Sequence, residues 1–300
     1  MKKKKRAVIA ISILILVLFN IINMILISSC GTKSENAIII AGSTSVQPYA
    51  EILEEAYMHV NADCEIDIQG GGSSAGVAAA LSHTAHIGMS SRALKDTEIE
   101  AESLKNAGQE LWSVEIAKDG LAIIINPDNP IQNLTLEQIR AVYMAEITNW
   151  KDLGGKDAKI HVITREEGSG TRSAFEDLVM DKNSITPKAI VQDSNGSVRL
   201  LVSDDKNSIG FISLGLVHPE PGQKEVKPLQ LEGVEATAEN VRNGSYELFR
   251  PFLFVTAVDI GEEPTGLTKE FIDFTLSKAG QKILAGEGLI PHMDIADIDE

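Results

Sequence analysis

The sequence predicts an α/β fold divided into two lobes, preceded by an export segment. Its 300 residues are 43% hydrophobic and 23% charged, enough apolar material for a sizeable core at a length that favours division into halves. From Ala37 onward, short β-rich runs alternate with helical stretches, the pattern of α/β proteins. The junctions between them carry Gly, Ser and Thr. No repeat of 20–50 residues interrupts the pattern.

The run Ala37–Ala41 reads as a buried strand, and Gly42-Ser43-Thr44-Ser45 turns it into a helix with Ile52, Leu53, Ala56, Tyr57 and Val60 on one face. Glu65–Gln69 is a second strand, Gly70-Gly71-Gly72-Ser73-Ser74 its turn, and Ala75–Leu81 a helix of small residues. A third strand ends at Ser90-Ser91-Arg92. Leu121–Ile125 is apolar and closes at Asn126-Pro127, after which Thr135-Leu136-Glu137-Gln138 fits a capping box. A second lobe begins here. Lys159–Thr164 is its next strand, followed by Arg165-Glu166-Glu167-Gly168-Ser169-Gly170-Thr171 and a helix carrying Phe175, Leu178 and Val179. Strands follow at Ala189–Gln192 and Ile209–Ser213, then a Pro/Gly-rich stretch at Pro219–Gly222. The chain ends with a strand at Pro251–Thr256, helices at Leu267–Leu276 and Ala279–Ala285, and an acidic tail, Asp294–Glu300, expected to be disordered.

At the N-terminus, Lys2, Lys3, Lys4, Lys5 and Arg6 precede an apolar run from Ala7 to Ile27, then Ser28-Ser29-Cys30 and a polar stretch. That order is a bacterial export signal. Ile27-Ser28-Ser29-Cys30 resembles a lipobox, in which Cys30 is acylated and becomes the mature N-terminus. The run is also long enough for an uncleaved membrane helix. Either way the rest of the chain lies outside the membrane. The other cysteine, Cys64, is expected at a strand edge and has no intramolecular partner once Cys30 carries lipid.

The formal charge of −16 understates the acidity of the exported body, because residues 1–29 hold five cations and no acid, so that their removal leaves −21. Such a body repels nucleic acid and anionic headgroups. An anion could bind only where local donors outweigh the global field. Three strand-to-helix turns offer such donors: Gly permits close backbone approach, Ser and Thr add hydroxyls, and each following helix begins with unpaired amides. If the strands are parallel, the turns share one sheet edge and converge. Arg165 precedes the third turn, and a guanidinium grips two anion oxygens at once. The plain alternative for any single turn is an ordinary capped loop.

Two other chemistries are weaker. Gly72-Ser73-Ser74-Ala75-Gly76 matches the G-x-S-x-G elbow of serine hydrolases, with His161, His218 and His292 as downstream bases in no recognisable context. His83 and His86 lack the acids or cysteines of a metal site. Neither a metal nor a cofactor is therefore expected, and no residue is assigned a catalytic role. Gly168-Ser169-Gly170-Thr171 lacks the Gly-Lys-Ser/Thr ending of a nucleotide loop.

Across nearly the whole mature chain the sequence resembles the phosphate-binding proteins of bacterial phosphate ABC transporters. The resemblance runs through Gly42–Pro48, Gly71–Gly76, Ile87–Arg92, Thr148–Gly155, Arg165–Arg172, Ile209–Gly215, Tyr246–Pro251 and Gly288–Pro291. It implies a type II periplasmic-binding-protein-like α/β fold, each lobe a mixed sheet flanked by helices, with a hinge between. Residues 1–29 would be the signal peptide, 30–36 a lipid-anchored linker, 37–116 plus 250–300 lobe one, and 117–249 lobe two. The resemblance further implies a non-enzymatic receptor on the extracytoplasmic face of the cell membrane, anchored through Cys30 and working as a monomer. It would capture inorganic phosphate and deliver it to permease and ATPase subunits. By that resemblance Thr44, Ser45, Ser73 and Ser91 donate from lobe one, with Arg92 adding a cation, and Arg165, Ser169, Gly170 and Thr171 close from lobe two. Some relatives carry an aspartate at the place of Ser91, where it accepts the proton of hydrogen phosphate. Here Glu167 is the nearest acceptor in a matching motif, although orienting Arg165 is its expected role. Arg172 supports the site from behind or is a solvated helix residue. A receptor for sulfate, molybdate or tungstate is the alternative on the same architecture.

Overall fold

A computed structural model describes residues 36–218, 222 and 224–293. The export segment, Cys30, most of the Pro/Gly-rich stretch and the acidic tail lie outside the described residues. Among the described residues, no helix is long and apolar enough to cross a membrane.

The strands are β1 (Ala37–Gly42), β2 (Glu65–Gln69), β3 (Ile87–Ser90), β4 (Gln109–Ile125), β5 (Asn133–Leu134), β6 (His161–Arg165), β7 (Ile190–Gln192), β8 (Ser208–Ser213), β9 (Lys227–Pro228), β10 (Gln230–Leu231), β11 (Phe249–Asp259) and β12 (Ile290–Pro291). The main sheet runs β2-β1-β3-β11-β4-β8-β6-β7, with β9 and β12 added against β4. It is mixed, as expected. β1 and β3 are parallel, as are β6 with β7 and with β8, whereas β11 and β4 run antiparallel to their neighbours and to each other.

Two hydrophobic cores form along this sheet. One gathers Ile40, Leu53, Ile87, Ile116, Phe252, Phe254 and Phe271. The other gathers Ile123, Ile124, Tyr143, Trp150, Phe175, Val198 and Phe211. β4 enters both, with Ile116 and Ala117 in the first and Leu121 to Ile125 in the second. The sequence reading caught only the second half of this strand, because its first half, Gln109 to Glu115, mixes polar and apolar residues and is half-buried or exposed. The chain returns beside β4, where Leu248 belongs to the second core and Phe252 to the first.

Helix α1 (Gln47–Val60) has Pro48 in its first turn and buries Tyr49, Ala50, Leu53 and Tyr57. The expected face is thus shifted toward the N-terminus, and Val60 is 71% exposed in the last turn. Cys64 sits just before β2 and donates its Sγ–H to the Asn61 carbonyl. Helix α2 (Ser73–Leu81) is built from small residues for a steric reason. A Cβ on Gly76 would stand 2.6 Å from the Ala41 carbonyl oxygen and 2.7 Å from the Gly42 Cα.

Helix α3 (Leu136–Tyr143) opens with the expected box: Thr135 Oγ1 accepts from the Gln138 amide at 3.1 Å and Gln138 Oε1 from the Thr135 amide at 2.9 Å. Helix α4 (Gly170–Phe175) gives way to a π-turn at Glu176–Met180 instead of continuing through Leu178. It is pinned by Phe175, stacked on Phe211 at 4.1 Å between ring centroids, with Tyr143 at 4.4 Å. Helix α5 (Asn195–Asp204) follows β7, and α6 (Gly266–Leu276) and α7 (Lys278–Gly286) pack Phe271, Ile272 and Leu284 into the first core.

Because the atoms facing Gly76 are backbone, they have little room to yield. Gly76→Ala is expected to lower the unfolding free energy by about 3 kcal/mol, the upper end of overpacking costs. Urea unfolding measures this, and a midpoint equal to the wild type's would refute the close-approach account.

Candidate functional site

The turns that end β1, β3 and β6 and the start of α2 meet at the sheet edge between the two cores. The first turn is shaped by Gly42, at φ +138°, where a Cβ would fall 2.4 Å from the Met89 carbonyl oxygen. Ser43 then closes the turn, its carbonyl accepting from the Gln47 amide at 2.9 Å and its Oγ from the Ser45 amide at 3.2 Å. That leaves the hydroxyls of Thr44 and Ser45 to point away from the turn.

Side chains of the two lobes touch here. Ser45 Oγ lies 2.9 Å from Thr171 Oγ1, and Thr44 Oγ1 accepts from Arg165 Nη2 at 3.2 Å. Ser73 Oγ is 3.3 Å from Ser91 Oγ and accepts from the Ser91 amide at 3.0 Å. Gly170 comes so close that a Cβ there would stand 2.2 Å from Ser73 Oγ and 2.5 Å from Ser91 Oγ. The Ser74 amide donates to the Gly168 carbonyl at 3.1 Å, so the two glycine turns are also joined through backbone. Ser45, Ser73, Ser91, Ser169 and Thr171 are all buried.

Arg165 is 1% exposed at the end of β6. Its Nε and Nη2 face the Glu166 carboxylate at 3.0 and 2.9 Å and the Gln192 and Asp193 carbonyls at 3.2 and 3.0 Å. Glu166, not the expected Glu167, orients it. At the end of the strand Glu166 turns back alongside the guanidinium, and Glu167 lies on the exposed outside of the turn. The remaining nitrogen, Nη1, is buried without a hydrogen-bond partner among the described residues. Leaving a charged donor unpaired is costly, and an anion is the partner that removes the cost. Arg172 proves to be a support, donating Nη1 to the Arg165 carbonyl at 3.2 Å and Nε to Glu176 at 2.8 Å. Ser169 Oγ caps α4, accepting from the Arg172 amide at 3.2 Å.

Arg92 is not brought into this cluster. Its guanidinium pairs with both oxygens of Glu98 at 2.9 and 2.7 Å and donates to the Ala93 carbonyl and to Ser74 Oγ. Glu98, six residues on, reaches back because its turn is fixed by the Lys95 amide, which donates to it at 2.8 Å.

The structure adds three residues that the sequence reading missed. Asn195, 2% exposed, donates Nδ2 to Ser45 Oγ at 2.8 Å. Its signal was present, since Asp193-Ser194-Asn195-Gly196-Ser197 is a further polar turn between a strand and a helix. Arg250 donates Nη2 to Ser45 Oγ at 3.0 Å and Nη1 to Ser91 Oγ at 3.4 Å. Asp119 holds Arg250 through Oδ2 at 2.9 and 3.1 Å.

The other constellations are not assembled. Ser74 Oγ accepts from Arg92, and His161 pairs with Asp205 at 2.6 Å. His83 Nε2 meets Gln109, and His86 Nδ1 accepts from the Ile39 amide.

A family model described as a PBP superfamily domain matches residues 30–279. The phosphate-binding protein PstS of Bacillus subtilis is 30% identical over 265 residues, 88% of this chain and 83% of its own length. The chain belongs to the phosphate-binding proteins of the PBP superfamily. Among these relatives, PstS of Borreliella burgdorferi is 30% identical and covered over 97% of its length, 92% of this chain. In three dimensions the fold is similar to a Clostridium perfringens substrate-binding protein with bound phosphate, assigned to phosphate ABC transport, at 44% identity and TM-score 0.77, covering 86% of this chain and all of that one. An ABC-type phosphate transport receptor from Vibrio cholerae is 38% identical, with TM-score 0.67 over 84% of this chain and 99% of its own. These neighbours share the two-lobed α/β architecture described above.

Burial pushes the Glu98 carboxyl up, and the Arg92 guanidinium with the Lys95 amide more than reverses it, so its ionisation lies below the ordinary value. A depressed carboxyl stabilises the fold above its unfolded pKa, and that contribution is lost as pH falls through the folded value. Glu98→Gln is therefore expected to lower thermal stability at neutral pH and to flatten its decline in acid. Melting curves from neutral pH down to about pH 3, in the range where carboxylates titrate, check both effects.

Proposed function

We propose that this chain captures inorganic phosphate between its two lobes and hands it to the membrane subunits of a phosphate ABC transporter. The observation that carries the reading is Arg165 Nη1, a buried cationic donor with no partner among the described residues, set in a ring of hydroxyls from both lobes. The phosphate found in the Clostridium perfringens relative supports the same ligand.

In this reading Thr44, Ser45, Ser73 and Ser91 donate from residues 37–116 plus 250–300, and Arg165, Ser169, Gly170 and Thr171 from residues 117–249. Arg92 serves the fold of its own turn. The crossing strands β4 and β11 act as the hinge, and the closed form is what the permease recognises. A micromolar site needs about 8 kcal/mol, while hydrogen bonds to charged groups contribute about 1.5–3 kcal/mol each, so the surplus from such a ring is available to drive closure. Acylation at Cys30 would keep the receptor, as a monomer, on the extracytoplasmic face beside the permease and ATPase.

Titration calorimetry on the mature protein is expected to show one phosphate per chain, with Arg165→Ala weakening it at least about hundredfold, the scale of a lost charge-assisted pair. No heat with phosphate but a clear response to sulfate or molybdate would overturn the assignment. Arg92→Lys is expected to lower the unfolding free energy by about 1–2 kcal/mol, typical of a disturbed polar network, and to leave phosphate affinity within about threefold. A large loss of affinity in that variant would return Arg92 to the ligand site.

A further inference from the structure

Asp119 and Arg250 lie directly opposite each other in the β4–β11 ladder, at the place where both strands pass between the cores. Asp119 is fully buried and Arg250 is 3% exposed. Both carboxylate oxygens are committed: Oδ2 accepts from Arg250 Nε and Nη2, and Oδ1 from Ser213 Oγ at 2.8 Å. With the Gly215 amide as a fourth donor, the acceptor positions of Asp119 are taken up and none is left for a proton on an anion in the cleft. Arg250, by contrast, aims its outer nitrogens at two hydroxyls of the proposed phosphate cradle, Ser45 and Ser91.

A hydroxyl has one proton to donate and two positions at which to accept. Ser45 Oγ accepts from Arg250 Nη2 at 3.0 Å and from Asn195 Nδ2 at 2.8 Å, which fills both. Its proton must then be given away, toward the cleft where Thr171 Oγ1 stands 2.9 Å off.

We propose that Arg250, locked by Asp119, is a positioning residue that fixes the Ser45 and Ser91 hydroxyls as donors to the ligand and makes the site select tetrahedral anions by charge. The proposal rests on the phosphate reading and deepens it. The place of Ser91 is taken by a hydroxyl, not a carboxylate, beside a second guanidinium. The charged and titratable groups facing Arg250 are Asp119 on β4, Arg165 on β6 and Tyr49 on α1. Burial pushes the Tyr49 phenol up and so keeps it uncharged, and the like charge of Arg165 adds to the burial cost of Arg250. A dianion between the guanidinia relieves that repulsion better than a monoanion does.

The test is titration of phosphate and sulfate into the mature wild type, Arg250→Lys, Arg250→Met and the double variant Asp119→Leu/Arg250→Met. Each is measured at one pH below and one above the second ionisation of phosphate. The wild type is expected to bind phosphate more tightly at the higher pH and to accept sulfate as a competitor. Arg250→Met should lose about thirtyfold at the higher pH, the scale of a hydrogen bond to a charged group, and most of the pH dependence with it. Arg250→Lys should recover part of both. The double variant removes the pair without stranding a buried charge, so it is expected to fold and to show the same loss. A folded double variant with wild-type affinity and pH profile overturns the proposal, as does an equal loss at both pH values or strict exclusion of sulfate by the wild type. If the wild type binds sulfate alone, the phosphate reading fails, and a thirtyfold loss of sulfate in Arg250→Met still upholds the role of the arginine.

Discussion

Asp119 and Arg250 meet where β4 and β11 carry the chain between the two cores, and burying that pair sets the terms for what surrounds it. Burial pushes the carboxyl up and the guanidinium down, and each offsets the cost for the other. The pair therefore holds only as a unit, with Ser213 satisfying the second oxygen. Arg165, the second buried guanidinium of the site, is matched differently. Glu166 and two carbonyls occupy one edge, Nη2 also donates to Thr44, and Nη1 alone has no partner among the described residues. One arginine is fully paired within the protein, and the other keeps a free donor, which the proposed anion would take.

Much of this was legible in the sequence because it is local. The alternation of strands and helices, the capping box at Thr135 and the glycine turns depend on residues a few positions apart, where propensity and capping rules apply. Arg165 was legible because it stands next to its turn. Arg250 and Asp119 were not, since they are 131 positions apart and nothing in a single strand marks an arginine that will face an aspartate across a ladder. The confusion of Glu166 with Glu167 has a related cause: which of two adjacent carboxylates turns inward depends on the last strand residue before the turn. The path of β4 was half legible. Its apolar end reads as a strand, and its mixed beginning is held by pairing with β11 rather than by its own pattern.

Charge is arranged against its own average. The chain carries a large negative excess, yet the centre gathers two arginines and a ring of hydroxyls in nearly complete burial. At short range and low local dielectric, paired donors outweigh the diffuse field of a solvated surface. Arg92 is paired within its own turn, where Glu98 neutralises it, and it holds that turn.

Two of the connections between the cores, β4 and β11, are not separate loops. β4 and β11 are hydrogen-bonded neighbours from Gln109 opposite Asp259 to Gly120 opposite Phe249, with one bulge at Phe252/Leu253. Any movement that parts the cores has to pass through this ribbon as a change of twist, because a paired ladder resists the free rotation that a loop allows. The ribbon also carries the Asp119–Arg250 pair, whose guanidinium holds Ser45 and Ser91, so in the proposed closure a change of twist would turn the hydroxyl directions along with the lobe angle.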